Sequence, residues 1–301
     1  MHVLVTGAGG FVGSNLVPAL LDAGHRVRAL VRDPDRYDPP DGVSVVTGDL
    51  LEPPSLEGAF EGIEAAYYLV HSMGAAGDFE ERDRVAAHNF AWAASEARVS
   101  RVIYLGGLGG REEELSEHLR SRREVESILA NGDFDVTVFR AAIVVGAGSA
   151  SFDIVVQLAK RLPVMITPRW VRTPSQPIYV DDVVAYLVGA LADPDTAGRT
   201  FEIGGPDVVT YGEMMERTAA ALGRRLYVVP VPVLTPRLSA YWVDLVTDVS
   251  ASVARPLIEG LKNPVVVTDD SVREAISVEL TPFDAAVRAA LTEMGETVVD
   301  G

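Results

Sequence analysis

The stretch Val3-Leu4-Val5-Thr6-Gly7-Ala8-Gly9-Gly10-Phe11-Val12-Gly13 decides the fold. Its aliphatic start reads as a strand, and Phe11–Ala23 reads as an amphipathic helix. Between them Gly7, Gly10 and Gly13 give the spacing GxxGxxG. The first glycine permits a tight turn. The second lets the backbone approach a pyrophosphate, and the third lets the helix pack closely on the strand. The free amides and the dipole of the helix N-terminus then face the phosphates. Gly7, Gly9, Gly10, Phe11, Val12 and Gly13 are therefore the expected phosphate-binding residues. A turn without a ligand would carry the same glycines, but this one heads a repeated strand–helix series, which favours a dinucleotide.

That series runs outward from the loop. Arg26–Val31, Val43–Thr47, Ala65–Val70, Arg101–Leu105 and Val136–Phe139 read as strands, with Phe79–Arg98 and Leu115–Asn131 as helices. The alternation predicts an α/β Rossmann fold, a doubly wound parallel sheet with right-handed crossovers. After residue 145 the rhythm loosens. Ser151–Arg161 and Val180–Leu191 read as helices, Arg199–Ile203 and Leu226–Val231 as strands, and Thr235–Leu261 as mostly helical. Leu162–Pro177 carries Pro163, Pro168, Pro174 and Pro177 and reads as a connector. Thr210 with Glu213 has the form of a capping box. The expected division is a dinucleotide-binding domain over residues 1–150, which also receives 175–203. Residues 151–174 and 204–301 form a smaller substrate lobe over the carboxyl edge of the sheet.

The residues after the second strand choose the cofactor. A carboxylate there usually holds the ribose 2′-hydroxyl of NAD. Here the first polar residue is Arg32, which suits a 2′-phosphate by charge and fork geometry. Asp33 follows and could serve a 2′-hydroxyl instead. NADP(H) is the expected cofactor, with NAD(H) possible. After the third strand, Gly48-Asp49-Leu50 places Asp49 and Leu50 beside the adenine.

Composition excludes other classes. The chain has 301 residues, 48% of them hydrophobic, enough to bury a large core. The absence of cysteine excludes disulfides, thiolate catalysis and cysteine-based zinc sites. The histidines, at positions 2, 25, 71, 88 and 118, lack metal-ligand spacing, and no metal is expected. A net charge of −17 makes nucleic acid a poor partner. No apolar run is long enough to span a bilayer, and the N-terminus reads as a strand, not a signal peptide, so a cytoplasmic protein with a small-molecule substrate is expected. Lys160 and Lys262 are the only lysines; an acidic, lysine-poor chain fits a salt-rich cytosol or a GC-rich genome equally.

The TGxxGxxG loop, the GDL after the third strand and Tyr179-Val180-Asp181-Asp182-Val183 together resemble the atypical extended short-chain dehydrogenases/reductases. The NAD(P)H-binding, NmrA-like and epimerase-like branch is closer still, on the segments Tyr68-Leu69-Val70-His71-Ser72-Met73, Leu119-Arg120-Ser121-Arg122 and Pro168-Arg169-Trp170-Val171-Arg172-Thr173-Pro174. The resemblance implies a Ser/Thr after the fifth strand and a Tyr-xxx-Lys on the next helix. This chain instead has Tyr104-Leu105-Gly106-Gly107-Leu108, then His118 and Arg122 in the Tyr and Lys positions. His118 and Arg122 stand i,i+4 on one helix face, so Arg122 could hold the ribose and His118 handle the proton, with Ser121 orienting substrate or cofactor. A charged, solvated helix face is an equal reading of this stretch.

His71 and Ser72 follow the fourth strand at the ligand-binding edge, where His71 would meet the cofactor, and Asn89 could face it from the following helix. Phe152, Met165, Trp170, Tyr179, Tyr241 and Trp242 could wall an apolar pocket or simply form core, and Arg169 with Arg172 could bind an anion or sit on the surface. The leading expectation is an NADP-dependent oxidoreductase acting on an apolar carbonyl, enone or quinone-like substrate. A non-catalytic NAD(P)(H) sensor and a structural subunit like the short-chain-type accessory subunit of respiratory complex I are the alternatives.

Overall fold

The computed structural model describes residues 1–72, 79–109, 115–167, 169–230 and 264–299. Thr235–Leu261, with Tyr241 and Trp242, lies outside them, as do Met73, Pro168 and the side chains of Arg169 and Trp170. Seven strands form the central sheet: β1 (His2–Thr6), β2 (Arg26–Val31), β3 (Ser44–Thr47), β4 (Ala65–Tyr68), β5 (Arg101–Gly107), β6 (Asp135–Ala141) and, much later in sequence, β11 (Thr200–Ile203). Their order is β3-β2-β1-β4-β5-β6-β11, and every pairing is parallel. The chain leaves β1 toward β2 and β3, then returns to place β4 on the other side of β1. That reversal opens a crevice at the carboxyl ends of β1 and β4, where ligands bind in sheets of this kind.

Both faces of the sheet are buried, and side-chain alternation sorts the strand residues between them. Val3, Val5, Tyr67, Ile103 and Phe139 point into one core. Leu4, Ala66, Tyr68, Val102, Tyr104 and Val138 point into the other. Helices α1 (Phe11–Asp22) and α5 (Val180–Ala192) cover the first face; α2 (Phe79–Glu96) and α3 (Glu117–Ala130) cover the second. Tyr67 is fully buried, and its hydroxyl donates to the Leu187 carbonyl of α5 at 2.7 Å, tying strand to helix.

Beyond β6 the chain makes two-stranded pairs: β7 (Val144–Val145) with β10 (Ile178–Tyr179), β9 (Pro174–Ser175) with β12 (Val209–Thr210), and β8 (Val164–Thr167) with β13 (Tyr227–Pro230). The Pro-rich stretch expected as a plain connector thus contains two strands. Its prolines flank or begin them, positions where a missing amide costs no ladder bond. Helix α4 (Ala150–Arg161) precedes β8, and α6 (Tyr211–Ala221) follows β12. The capping box at the start of α6 is present: Glu213 donates its amide to Thr210 Oγ1 at 3.2 Å, and the Thr210 amide donates to Glu213 Oε2 at 2.7 Å. The C-terminal helix, Phe283–Glu293, is anchored by carboxylates from elsewhere in the chain. Asp182 accepts from the Thr281 amide at 2.8 Å and hydroxyl at 2.9 Å, and Asp207 accepts from the Phe283 amide at 2.7 Å.

Candidate active site at the carboxyl edge of the sheet

The glycine loop closes onto β4. Gly7 has φ +74°, and a Cβ there would lie 2.8 Å from the Leu69 carbonyl oxygen. A Cβ on Gly13 would lie 2.2 Å from the Gly7 carbonyl oxygen, so helix and strand approach more closely than any side chain allows. Gly10 is the N-cap of α1, without a side-chain cap. The amides of Phe11 and Val12 have no protein acceptor among the described residues. Such orphan amides and the positive end of the helix dipole suit a phosphate.

Tyr37, which the sequence did not single out, borders this loop. Its ring would stand 3.4 Å from a Cβ on Gly9. Its buried hydroxyl has no partner among the described residues. Arg32 is exposed at the end of β2 and forms no ion pair among the described residues. Asp33 is already committed: it accepts from the Asp35 amide at 3.2 Å and pairs with Arg36 at 3.2 Å. The arginine is therefore available to a ribose substituent, while the competing carboxylate caps a turn.

On the adenine side, Asp49 Oδ1 accepts from the Leu51 amide at 2.9 Å, and the Asp49 amide donates to Ser55 Oγ at 2.8 Å. Leu50 turns inward and packs in the core under α2. Asn89 donates to the Leu50 carbonyl at 2.6 Å, bracing this turn from α2.

One strand over, the ends of β4 and α2 meet α3 in a buried polar cluster. At its centre is Asp83, only 3% exposed. Its Oδ1 accepts from the Ser72 amide at 2.8 Å. Its Oδ2 accepts from Ser121 Oγ at 3.2 Å and stands 3.4 Å from His71 Nδ1. Burial alone would raise the Asp83 carboxyl, but hydrogen bonds from His71 and Ser72 and the Arg122 charge outweigh it and lower the pKa. Ser121, expected to orient substrate or cofactor, is 2% exposed and gives its hydroxyl to Asp83; a ligand would feel it only through that carboxylate.

The two imidazoles lie together. The His71 and His118 ring centroids are 5.0 Å apart, tilted by 37°. Burial and the nearby Arg122 cation push His71 down to about 4 despite Asp83. Burial, Arg122 and His71 push His118 to about 2. Both rings are therefore neutral at pH 7. His71 Nε2 and His118 Nδ1 are each buried and unpartnered among the described residues. An unsatisfied buried polar atom costs about 1–3 kcal/mol, so both call for a partner that a bound molecule can supply.

Arg122 shares a helix face with His118, and Tyr104 donates to its backbone carbonyl at 3.2 Å, locking α3 onto β5. β5 ends on Gly106 and Gly107 without a hydroxyl; a Cβ on Gly107 would lie 2.6 Å from Leu119 Cδ2 of α3. Asp83 was the residue sequence reasoning missed. Its signal was a carboxylate on the apolar stripe of α2, in phase with the buried Ala86, Ala87, Phe90 and Ala94. Phe152, Met165 and Tyr179, offered as pocket walls, are core residues. Arg172 is exposed at the surface.

A doubly wound parallel sheet with a glycine loop at its switch point is the architecture of an atypical extended short-chain dehydrogenase/reductase. Comparison with known proteins gives the family: the NAD(P)H-binding family matches residues 7–194, more than half of the sequence, and the chain belongs to it. It is 32% identical to a ceramide reductase of Caulobacter vibrioides over 236 residues, 76% of this chain and 73% of that protein. It is 29% identical over 226 residues, 70% of this chain and 56% of the relative, to mitochondrial subunit 9 of the NADH dehydrogenase [ubiquinone] 1 alpha subcomplex of Arabidopsis thaliana. Its fold matches the triphenylmethane reductase of Citrobacter sp. complexed with NADP(H), at a TM-score of 0.75 and 18% identity, covering 97% of this chain and all of that one. The glycine cradle and the orphan amides and hydroxyl around it fit the NAD(P)H that the family binds. Among the described residues no helix is long and apolar enough to cross a membrane, and no group of side chains could hold a metal ion.

Proposed function

We propose that this chain is an NADP(H)-dependent reductase acting on a small, mostly apolar carbonyl, enone or quinone-like substrate. The observation that carries the proposal is the joining, along one sheet edge, of a phosphate cradle with a buried polar cluster in which His71 Nε2 and His118 Nδ1 lack partners among the described residues. In this reading Gly7, Gly9, Gly10, Phe11, Val12 and Gly13 hold the pyrophosphate. Arg32 meets the 2′-phosphate, Asp49 the adenine side, and Arg122 the nicotinamide ribose. The bound cofactor supplies hydride. His71, His118 and Arg122 supply the polar end of the substrate site. The ceramide reductase relative supports reduction of an apolar substrate.

A second reading, binding without turnover, is favoured by the Arabidopsis relative, named as a subunit of a larger enzyme, and by the glycines where a catalytic hydroxyl is usual. One experiment separates the two. Titration of NADP, NADPH, NAD and NADH is followed by deuteride transfer from 4-deuterated NADPH to a panel of carbonyls and quinones. The proposal expects tighter binding of the phosphorylated pair and label in a reduced product. Tight binding with no label in any product would favour the second reading.

A further inference from the structure

We infer that Asp83 and His71 form a dyad in which Asp83 is the positioning residue and His71, not His118, presents the proton-accepting nitrogen of the crevice. The assignment rests on the reductase reading above and adds the atom that handles the proton. Asp83 Oδ2 faces His71 Nδ1 at 3.4 Å. A carboxylate can only accept, so this contact places the imidazole proton on Nδ1. Nε2 is then left with its lone pair, buried and unpartnered among the described residues. His118 has no such carboxylate. The Arg122 cation acts on it more strongly than Asp83 does, and its Nδ1 has no partner among the described residues to fix which nitrogen carries the proton.

The dyad is rigid because Asp83 is held on both oxygens. The Ser72 amide fixes Oδ1 and the Ser121 hydroxyl shares Oδ2 with His71. This also accounts for Ser121 and Ser72, which orient the carboxylate and through it the ring. Asp83 reaches the chemistry only through His71, as a buried carboxylate behind a catalytic imidazole does. In the alcohol-to-carbonyl direction, His71 Nε2 would take the proton as the substrate O–H bond breaks, with a bound oxidised nicotinamide accepting the electron pair from carbon as hydride. In the reducing direction a proton taken up from solvent on Nε2 would pass to the substrate oxygen as a bound reduced nicotinamide gives hydride to the carbonyl carbon, and the ring returns to its neutral Nδ1–H form. Arg122 disfavours a lasting imidazolium beside it and so favours release of the proton.

The test reads protonation directly. Protein labelled with 15N in its histidines is examined by long-range proton–nitrogen correlation at pH 7, alone and during NADPH titration. The expected result is His71 fixed as the Nδ1–H tautomer, with Nε2 carrying the lone pair. In Asp83→Asn, the side-chain oxygen stays with the Ser72 amide and the NH₂ group turns toward His71. The proton should then move to Nε2. An Nε2–H tautomer in the unmodified protein, or the same tautomer in a folded Asp83→Asn variant, would overturn the dyad. The first result needs no variant, so poor folding of Asp83→Asn leaves the inference falsifiable. Failure of NADPH to bind would sink the reductase reading itself, whereas NADPH binding with His71 in the Nε2–H form would overturn the dyad alone.

Discussion

The two halves of the crevice are made of different material. The half at β1 and β2 is backbone: a glycine loop, the amides of Phe11 and Val12, and one exposed arginine. The half at β4, β5, α2 and α3 is side chain: a carboxylate, two imidazoles, a hydroxyl and a guanidinium drawn from three segments of the chain. A backbone site tolerates almost no added atoms but needs few particular side chains. A side-chain site can exchange its residues while keeping its place at the sheet edge. That contrast lets the dinucleotide cradle keep its familiar form whichever side chains stand beside it.

Substitution should affect the backbone half most. Gly13→Val puts a Cβ 2.2 Å from a carbonyl oxygen that cannot retreat. The penalty should exceed about 4 kcal/mol, in the tail of single-site effects that overpacking and strain produce. The outcome is loss of measurable NADP(H) binding or of the folded state, read by cofactor titration and thermal melting. Asp83→Ala comes next. It strips the acceptor from His71, Ser72 and Ser121 together and should cost about 1–3 kcal/mol or more in a denaturant melt, since each buried donor left unpaired carries its own penalty. Arg32→Ala should weaken NADPH binding by roughly 10–100-fold, the worth of a hydrogen bond to a charged group, and leave NADH affinity unchanged.

Acid sensitivity comes from the side-chain half. His71 and His118 are held at about 4 and about 2 in the fold, against an ordinary value near ~6.5 in the unfolded chain. Below that ordinary value the unfolded chain takes up protons that the fold refuses, so stability is lost as pH falls from ~6.5 toward the folded values. His118→Gln should remove roughly one proton of that linkage at pH 5, flattening the fall in denaturation midpoint between pH 7 and pH 5. The smallest effect is expected at Arg36→Ala. Its pair with Asp33 is exposed at 87% and 49%, and such pairs are worth under about 1 kcal/mol, so the melting temperature should barely move.

The same contrast sets how much was legible in the sequence. The cradle could be read because glycine spacing encodes backbone geometry locally: Gly7, Gly10 and Gly13 lie within one turn-and-helix unit. The seven-strand sheet followed from alternating hydrophobic runs, whose period is also local. The polar cluster depends on packing between helices distant in sequence. Asp83 and Ser121 are 38 residues apart and meet only because α2 and α3 lie side by side. His118 and Arg122 could be named from a likeness of register, Ser121 as the neighbour of Arg122, and His71 from its place at the end of the fourth strand. The carboxylate that joins three of the cluster's groups had no motif of its own, only its misfit on an apolar stripe. Tyr37 was missed for a similar reason, since its approach to Gly9 is a tertiary contact.

One bound dinucleotide spanning both halves would join them into a single site. A single NADPH titration that follows the amide signals of Phe11 and Val12 and the ring signals of His71 and His118 together by NMR tests this. Loop and ring signals should move with one common dissociation constant, and NADH should reproduce the pattern with weaker affinity. Saturation of the loop signals while both histidine rings stay unmoved would contradict it.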